Sequence, residues 1–387
     1  MFTPSSTPPV VKLAIIRSTS IGDVVLASAC IDLLNKLSAP VELYWVGRSP
    51  ALQLIEKAFP EVKTVAVDSN LPNYADEVIE AIKSVHIVVD LQMSIRSRAI
   101  CRTLQKSYGI RTFNRRKNSL KRGQMVVAAR LRGRRSALPE EYQQSEMLQH
   151  DMMSNALRQA LSSYLPVETL DEIKSYKPQP VLPTDHDQTS RSWQKELKFG
   201  VWLAIAPGAS FESKRAPESL FLDTLNKLSK LLKEASYNGT ELSLLFVGNE
   251  DDRVTALSIL DKLGWKGPTL NLAGKLSLWE SALAIKETKL VMSNDSSLCH
   301  IGEAVGVPSA VLFGPTVESF GFPPWRPESR AFSAPLGCRP CSKHGKSDCR
   351  YGDKLCFSLL RSNDIAEYLF KTLAPSLKEA SSPQEDG

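Results

Sequence analysis

The sequence predicts two parallel-sheet α/β domains joined by a linker, and three observations carry that prediction. Short apolar runs alternate with segments of helical periodicity along almost the whole chain. At 387 residues the chain is too long for one ordinary core, and domains of about 150 to 200 residues are the natural size. An aperiodic stretch with three prolines, YKPQPVLPTDHDQ at 176–188, divides the alternation into two series.

Residues 1–10 are expected to be disordered. VKLAIIR (11–17) is a short β-rich apolar run, and SIGD then leads into a helix in which Val25, Ala29, Leu33 and Leu37 recur at helical spacing. VELYWVG (41–47), TVAVD (64–68) and HIVVDLQ (86–92) are further strand candidates. Buried strands of this kind between helices indicate a parallel sheet. Residues 11–178 are therefore read as an N-terminal Rossmann-like domain and 179–188 as the linker. The pattern restarts at 189. VWLAIAPG, LSLLFVG, TLNLAG, KLVMSND and SAVLFGPT read as strands, with helices near 217–235, near 277–286 and from about 298. This C-terminal domain is taken to run to 361. A last helix, 362–375, opens on Ser362 as N-cap, and the polar tail SLKEASSPQEDG (376–387) is expected to be disordered.

Composition narrows the classes of function. Hydrophobic residues at 42% and charged residues at 23% describe a soluble globular protein. No apolar stretch approaches the ~18 to 20 residues that span a bilayer, and MFTPSSTPP has no basic segment before a long apolar one. A cytoplasmic address with reduced thiols follows as an expectation. The net charge of +6 is modest, but fourteen Lys or Arg and no acid lie between Asp90 and Glu140. Such a block is a field aimed at an anionic partner or surface, although a solvated basic face is the plainer reading.

Two open α/β domains facing each other create a cleft, and ligands of such sheets sit beyond the carboxyl ends of the strands, where helix N-termini point. The motifs of interest fall there. In PGASFESKRAPES, Gly208 allows a tight turn, Ser210 and Ser213 offer hydroxyls, and Lys214 and Arg215 bring positive charge near a helix start. Phosphate binding wants this combination; an ordinary turn with surface cations is the alternative. In NDSSLCHIGEA, Asp295 and His300 flank a helix start at which Ser296 and Ser297 can cap or donate to a diphosphate. Asp295 as a plain cap with His300 partly buried is the alternative. STSIGD occupies the equivalent place in the first domain, where Asp23 can accept a proton from a hydroxyl nucleophile or merely stabilise a helix start.

Taken together, STSIGDVVLAS, PGASFESKRAPE, LFVGNEDD, LAGKLSLWE, NDSSLCHIGEAVGVP and FGPT resemble, in order and spacing, the bacterial heptosyltransferases of glycosyltransferase family 9. The resemblance covers about residues 11–375 and implies a GT-B fold, two Rossmann-like domains facing across a cleft. It implies an inverting transfer of heptose, or a related sugar, from ADP-heptose to a lipopolysaccharide inner-core acceptor. Asp23, with Ser20 and Gly22 beside it, matches the family's general base. Lys214 matches the lysine on the donor diphosphate. Asp295, Ser296 and His300 match the donor-gripping loop, and Ser297, Gly208, Ser210 and Thr316 of FGPT are taken with them as substrate-binding candidates. Asp252 falls near the family's ribose acid, and DLQMSIRSR, with Arg96 and Arg98, resembles its acceptor side. Ser297 stands where the family usually has Gly, and Ala216 where it usually has Trp.

The implied chemistry is a single displacement. Asp23 deprotonates the acceptor hydroxyl, and Lys214, His300 and the helix N-terminus stabilise charge on the departing diphosphate. No cofactor is needed for that step. The basic block would serve an anionic glycolipid acceptor or a peripheral contact with the inner-membrane surface, and no nucleic-acid partner is expected. Cys338, Cys341, Cys349 and Cys356 form C-x2-C-x7-C-x6-C, a pattern compatible with a structural zinc or iron; free thiols are the alternative. Protein O-heptosylation, and a nucleotide-sugar epimerase or hydrolase on the same fold, are the rival activities.

Overall fold

A computed structural model describes residues 10–68, 73–116, 118–145, 148–237 and 242–381. The chain divides into two compact units, one from 1–117 with 147–184, the other from 118–146 with 185–387. The predicted termini at 1–9 and 382–387 lie outside the described residues.

In the first unit β1 (Val11–Ile16) is followed by α1 (Ile21–Ala27), α2 (Ala29–Leu34), β2 (Val41–Gly47), α3 (Ala51–Ala58), β3 (Lys63–Ala66) and α4 (Tyr74–Ile82). Then come β4 (Ile87–Asp90), α5 (Ile95–Tyr108) and β5 (Arg111–Asn114). The five strands form a parallel sheet in the order β3-β2-β1-β4-β5. Apart from Lys12 and the terminal Asp90, strands β1 and β4 are apolar and buried on both faces, as a helix-covered parallel sheet requires. Ala14, Ile16, Val46 and Val88 pack with Ile82 of α4 and Ile100 and Leu104 of α5. The order reverses between β1 and β4, where Ile16 pairs with Asp90. The loops leaving both strands therefore open side by side at the switch point, the usual place for a ligand.

The helix expected to run from Val25 to Leu37 is two helices. Ser28 interrupts it: its hydroxyl donates to Val25 O at 2.7 Å and accepts Val181 N–H at 2.9 Å, from the segment that closes the unit. Strand β5 escaped prediction because its four residues, RTFN, are polar at both ends and lie at the sheet edge.

The second unit begins with a helix outside the predicted boundary. Helix α6 (Ser119–Arg132) was read within an unbroken 11–178 domain, but its inner side chain Met125 packs with Leu138, Val317 and Phe320. Arg122 donates to Phe320 O at 2.6 Å. After α7 (Gln149–Leu161) and α8 (Val167–Lys174), which belong to the first unit, the second resumes. It continues through α9 (Gln194–Leu197), β6 (Val201–Ala206), α10 (Glu218–Glu234), β7 (Leu242–Phe246), α11 (Glu250–Leu263) and β8 (Thr269–Asn271). The remainder is α12 (Leu278–Lys286), β9 (Leu290–Asn294), α13 (Ser297–Ala304), β10 (Ser309–Phe313), β11 (Arg330–Ser333), α14 (Leu355–Ser358) and α15 (Ser362–Ser381). All six strands are parallel, in the order β11-β10-β9-β6-β7-β8. Here the switch point lies between β6 and β9.

Helix α15 overruns its predicted end at 375. Pro375 removes one main-chain donor and strains the turn before it. Leu373 and Leu377 are nonetheless fully buried in the core that holds Leu225 and Leu228 of α10, and that burial outweighs the proline.

Candidate active site

Each switch point gathers its own cluster of polar residues. In the first unit β1 delivers Arg17, which is almost fully buried. Its guanidinium donates to Leu91 O at 2.6 Å and pairs with Asp23 Oδ2 at 2.6 Å. Asp23 stands at the third position of α1, where it accepts from the Ser20 hydroxyl at 3.0 Å and, more weakly, from the Ser20 N–H at 3.4 Å. Gln92, just beyond β4, accepts the N–H groups of Ser18 and Thr19 at 3.0 and 3.1 Å and so stitches this loop to the neighbouring strand. Gly22 is buried beneath it.

Asp23 keeps 17% of its side-chain surface exposed, so it is neither sealed in the core nor free. Burial alone would raise its carboxyl. Arg17 and Arg115 outweigh burial, and with the Ser20 hydrogen bonds they hold it below the ordinary carboxylate range. The group is thus an ionised, fixed acceptor at neutral pH. Arg96 and Arg98 are exposed on the first turn of α5, Arg96 over the Tyr74 ring at 5.7 Å. Sequence reasoning missed Arg17, Gln92 and Arg115. An arginine ending an apolar strand was the available signal for the first.

In the second unit the loops after β6 and β9 are tied together by Asn294, which is fully buried at the end of β9. Its amide donates to Pro207 O at 2.6 Å and accepts Ala216 N–H at 3.0 Å, clamping the whole 207–216 loop at both ends. Lys214 then reaches Asp295, with Nζ to Oδ2 at 2.7 Å. The same oxygen accepts from the Thr316 hydroxyl at 2.6 Å. Burial would push the Asp295 carboxyl up, but Lys214, Thr316 and His300 bring it below its usual value. Two anions repel, so Asp295 is suited to seat the lysine rather than to touch a phosphate.

Ser296 caps α13 with extended backbone, and Ser296 and Ser297 are half-buried at the mouth of the helix. Ser210 is exposed. His300 is buried with its ring stacked on Trp325 at 5.9 Å and tilted against Phe322 at 6.2 Å. Trp325 is held from below by Glu303, whose Oε2 accepts Trp325 N–H at 2.5 Å and whose Oε1 accepts from Ser329. Burial pushes the Glu303 carboxyl up to about 7.

Asp252 is committed elsewhere. It pairs with Arg215 at 3.1 Å and accepts Asn249 N–H at 3.0 Å, which caps α11. Gly208 earns its place by that packing, since a Cβ there would lie 2.1 Å from the Asp252 carboxylate. Both residues serve the frame of the loop.

The Cys-rich loop leans on the lysine loop. The Ser213 hydroxyl donates to Gly345 O, and Lys354 Nζ donates to Glu212 at 2.7 Å. Gly345, at φ +78°, lets the Lys214 stem pass where a Cβ would come within 2.6 Å. The four thiols are unbridged. Burial raises those of Cys341 and Cys356 to about 12 and about 11. No group of three or more His, Cys, Asp or Glu among the described residues is gathered closely enough to hold a metal ion. The loop is organised by Arg339, fully buried between Cys338 and Cys341, which donates to Gly314 O, Thr316 O and Ser333 Oγ at 2.6 Å each, and to Ala334 O.

Known proteins resemble this chain in sequence and in fold. The family described as "Glycosyltransferase family 9 (heptosyltransferase)" matches residues 77–351. Lipopolysaccharide heptosyltransferase 1 of Campylobacter coli is 22% identical over 323 residues, which are 79% of this chain and 84% of that protein. Among solved structures, the ADP-heptose LPS heptosyltransferase II of E. coli superposes with a TM-score of 0.61 at 17% identity, covering 95% of this chain and 99% of that one. The E. coli heptosyltransferase WaaC with ADP gives 0.56 at 15% identity, covering 95% and 100%. These solved structures share the two-domain GT-B fold of this chain.

Proposed function

The chain belongs to glycosyltransferase family 9 and is a glycosyltransferase; from that premise we propose that it transfers heptose from ADP-heptose to an inner-core lipopolysaccharide acceptor with inversion of configuration. The relatives named above support the donor and the acceptor class. The observation that carries the reading is the Lys214–Asp295–Thr316 cluster beside Ser296 and Ser297 at a switch point, a built seat for a diphosphate.

In this reading the second unit binds the donor. Lys214 Nζ, seated by Asp295, meets the diphosphate, and the Ser296 and Ser297 N–H groups at the start of α13 donate to it. As the glycosidic bond breaks, these groups and His300 stabilise the charge that collects on the leaving phosphate; removing one such contact typically costs ~10²–10³ in rate. The first unit supplies the base. The attacking hydroxyl becomes strongly acidic only as the new C–O bond forms, so a weakly basic but permanently ionised Asp23 suffices to take its proton. Arg17 keeps that carboxylate charged and pointed. Arg96 and Arg98, exposed and cationic, suit the carboxylates and phosphates of an anionic glycolipid acceptor. Asp252 and Gly208 are taken to shape the loop that holds the donor.

The Cys-rich loop enters as a brace for Lys214. Its four thiols have the chemistry of a zinc or iron ligand set but not, as placed, the geometry. No step is assigned to a metal there, and stoichiometric metal in the purified protein is what a structural ion would show. Among the described residues no helix is long and apolar enough to cross a membrane; a cytoplasmic enzyme working peripherally at the membrane face fits the reading. A thermal-shift panel tests the donor class: ADP-sugars should raise the midpoint while UDP- and GDP-sugars do not, and a flat response to all would overturn the assignment.

A further inference from the structure

Helix α6 presents an apolar stripe to solvent. Leu120, Val127 and Leu131 are 77%, 57% and 84% exposed. Spaced seven and four residues apart, they fall on one face of the helix. That face cannot roll inward. The opposite one is pinned, with Met125 and Ala129 buried and the Arg122 guanidinium both donating to Phe320 O and lying 5.2 Å above the Phe320 and Phe322 rings.

Cations border the stripe. Lys121 and Arg130 flank it on the helix, and both are exposed. Beyond its C-terminal end Arg350 donates to Arg130 O at 3.0 Å, and the rings and charges continue in Tyr351, over which Arg350 stands at 4.9 Å. Arg134 also lies over that ring but is engaged by Asp353, so it adds little field. No acid occurs in the sequence from Asn118 to Pro139.

We propose that this face of α6 docks on an anionic lipid bilayer, with Leu120, Val127 and Leu131 entering the headgroup boundary and Lys121, Arg130 and Arg350 meeting lipid phosphates. Charge decides the occupant. A second copy of the chain would bring the same cations against this face and be repelled. A nucleic acid would use the cations but leave three aliphatic side chains wet. Only an anionic interface takes both. The proposal rests on the glycosyltransferase reading for its purpose, since docking brings the enzyme to a lipid-linked acceptor, but its test needs neither donor nor acceptor.

The test is co-sedimentation of the full chain with phosphatidylcholine vesicles made with and without phosphatidylglycerol. The native protein should pellet with the anionic vesicles, more weakly as salt rises. Leu120→Ser with Leu131→Ser should lower the partition coefficient by about tenfold or more, and Lys121→Gln with Arg130→Gln by about fivefold per cation. Both double variants should keep the native circular dichroism and thermal midpoint, because the altered positions are exposed. Native protein left in the supernatant would overturn the proposal. So would a leucine variant that partitions like the native protein, or a native dimer that the leucine variant splits. Transfer to a delipidated acceptor should survive in the leucine variant; if the native protein also fails to transfer while docking behaves as described, the activity reading falls and the docking surface stands.

Discussion

Replacing Arg339 by Met should destabilise the second unit by about 4 kcal/mol, and the figure follows from what the guanidinium holds. It makes four hydrogen bonds from a fully buried position. Ala334 O keeps another donor, the Leu336 N–H at 2.8 Å, so the loss falls on the carbonyls of Gly314 and Thr316 and on Ser333. Leaving a buried carbonyl without its donor costs about 1–3 kcal/mol. Glu318, buried near the guanidinium, also loses a charge that lowers its carboxyl. Two carbonyls, those of Gly314 and Thr316, each losing its donor at about 2 kcal/mol, make ~4 kcal/mol. For a unit of this size that lowers the melting midpoint by roughly 10 °C. Arg339→Lys should recover less than half, because one ammonium cannot reproduce a fork aimed at two carbonyls. Differential scanning calorimetry reads the effect. The Michaelis constant for the donor should rise with it, since Thr316, freed at its carbonyl, is the residue that helps Asp295 seat Lys214. A Met variant melting within about 2 °C of the native protein would show that Arg339 does not hold the loop.

Three further outcomes follow from the same geometry. Asp23→Asn should fold, bind nucleotide sugar and lose about 10²–10⁴ in kcat, with no acid limb between pH 5 and 8 in the native enzyme that belongs to this group, because its carboxyl already lies below the ordinary range; steady-state rates across pH check both. Lys214→Met should cost stability by leaving Asp295 unpaired, and adding Asp295→Asn should restore the melting midpoint but not transfer, which separates the lysine's seat from its task. Glu303→Gln should change the pH dependence of stability. The native carboxyl titrates at about 7 when folded against 4.5 unfolded, so the unfolded state gives up its proton first and stability declines by about 3 kcal/mol as pH rises through that window. The glutamine variant should lack the decline, and denaturation at pH 5 and pH 8 measures it.

Much of this was legible in the residues themselves. Runs such as LAII, LLF and AVLF are apolar on both faces because their strands are covered on both, and that pattern survives without any knowledge of neighbours. The Lys214 and Asp295 loops could be singled out because charged residues directly after such runs have nowhere to lie but the carboxyl edge. What stayed hidden depended on partners far along the chain. Asn294 looks like an ordinary strand end until its amide is seen to clamp residues 207 and 216. Arg339 sat unnoticed between two cysteines that drew attention to themselves, although its guanidinium ties the loop to three carbonyls and a serine. Asp252 was read by position as a substrate contact, and its pairing with Arg215 and the close approach of Gly208 were not legible in the sequence. Helix α6 follows the first domain in sequence and packs with the second, a choice made by Met125 and Phe320 together.

Heptosyl transfer is measured by giving the purified chain ADP-heptose and an inner-core acceptor and weighing the acceptor by mass spectrometry. The acceptor should gain one heptose with one ADP released, and Asp23→Asn should abolish the gain. ADP-heptose consumed with the acceptor mass unchanged, or left intact by a folded enzyme, would contradict heptosyl transfer.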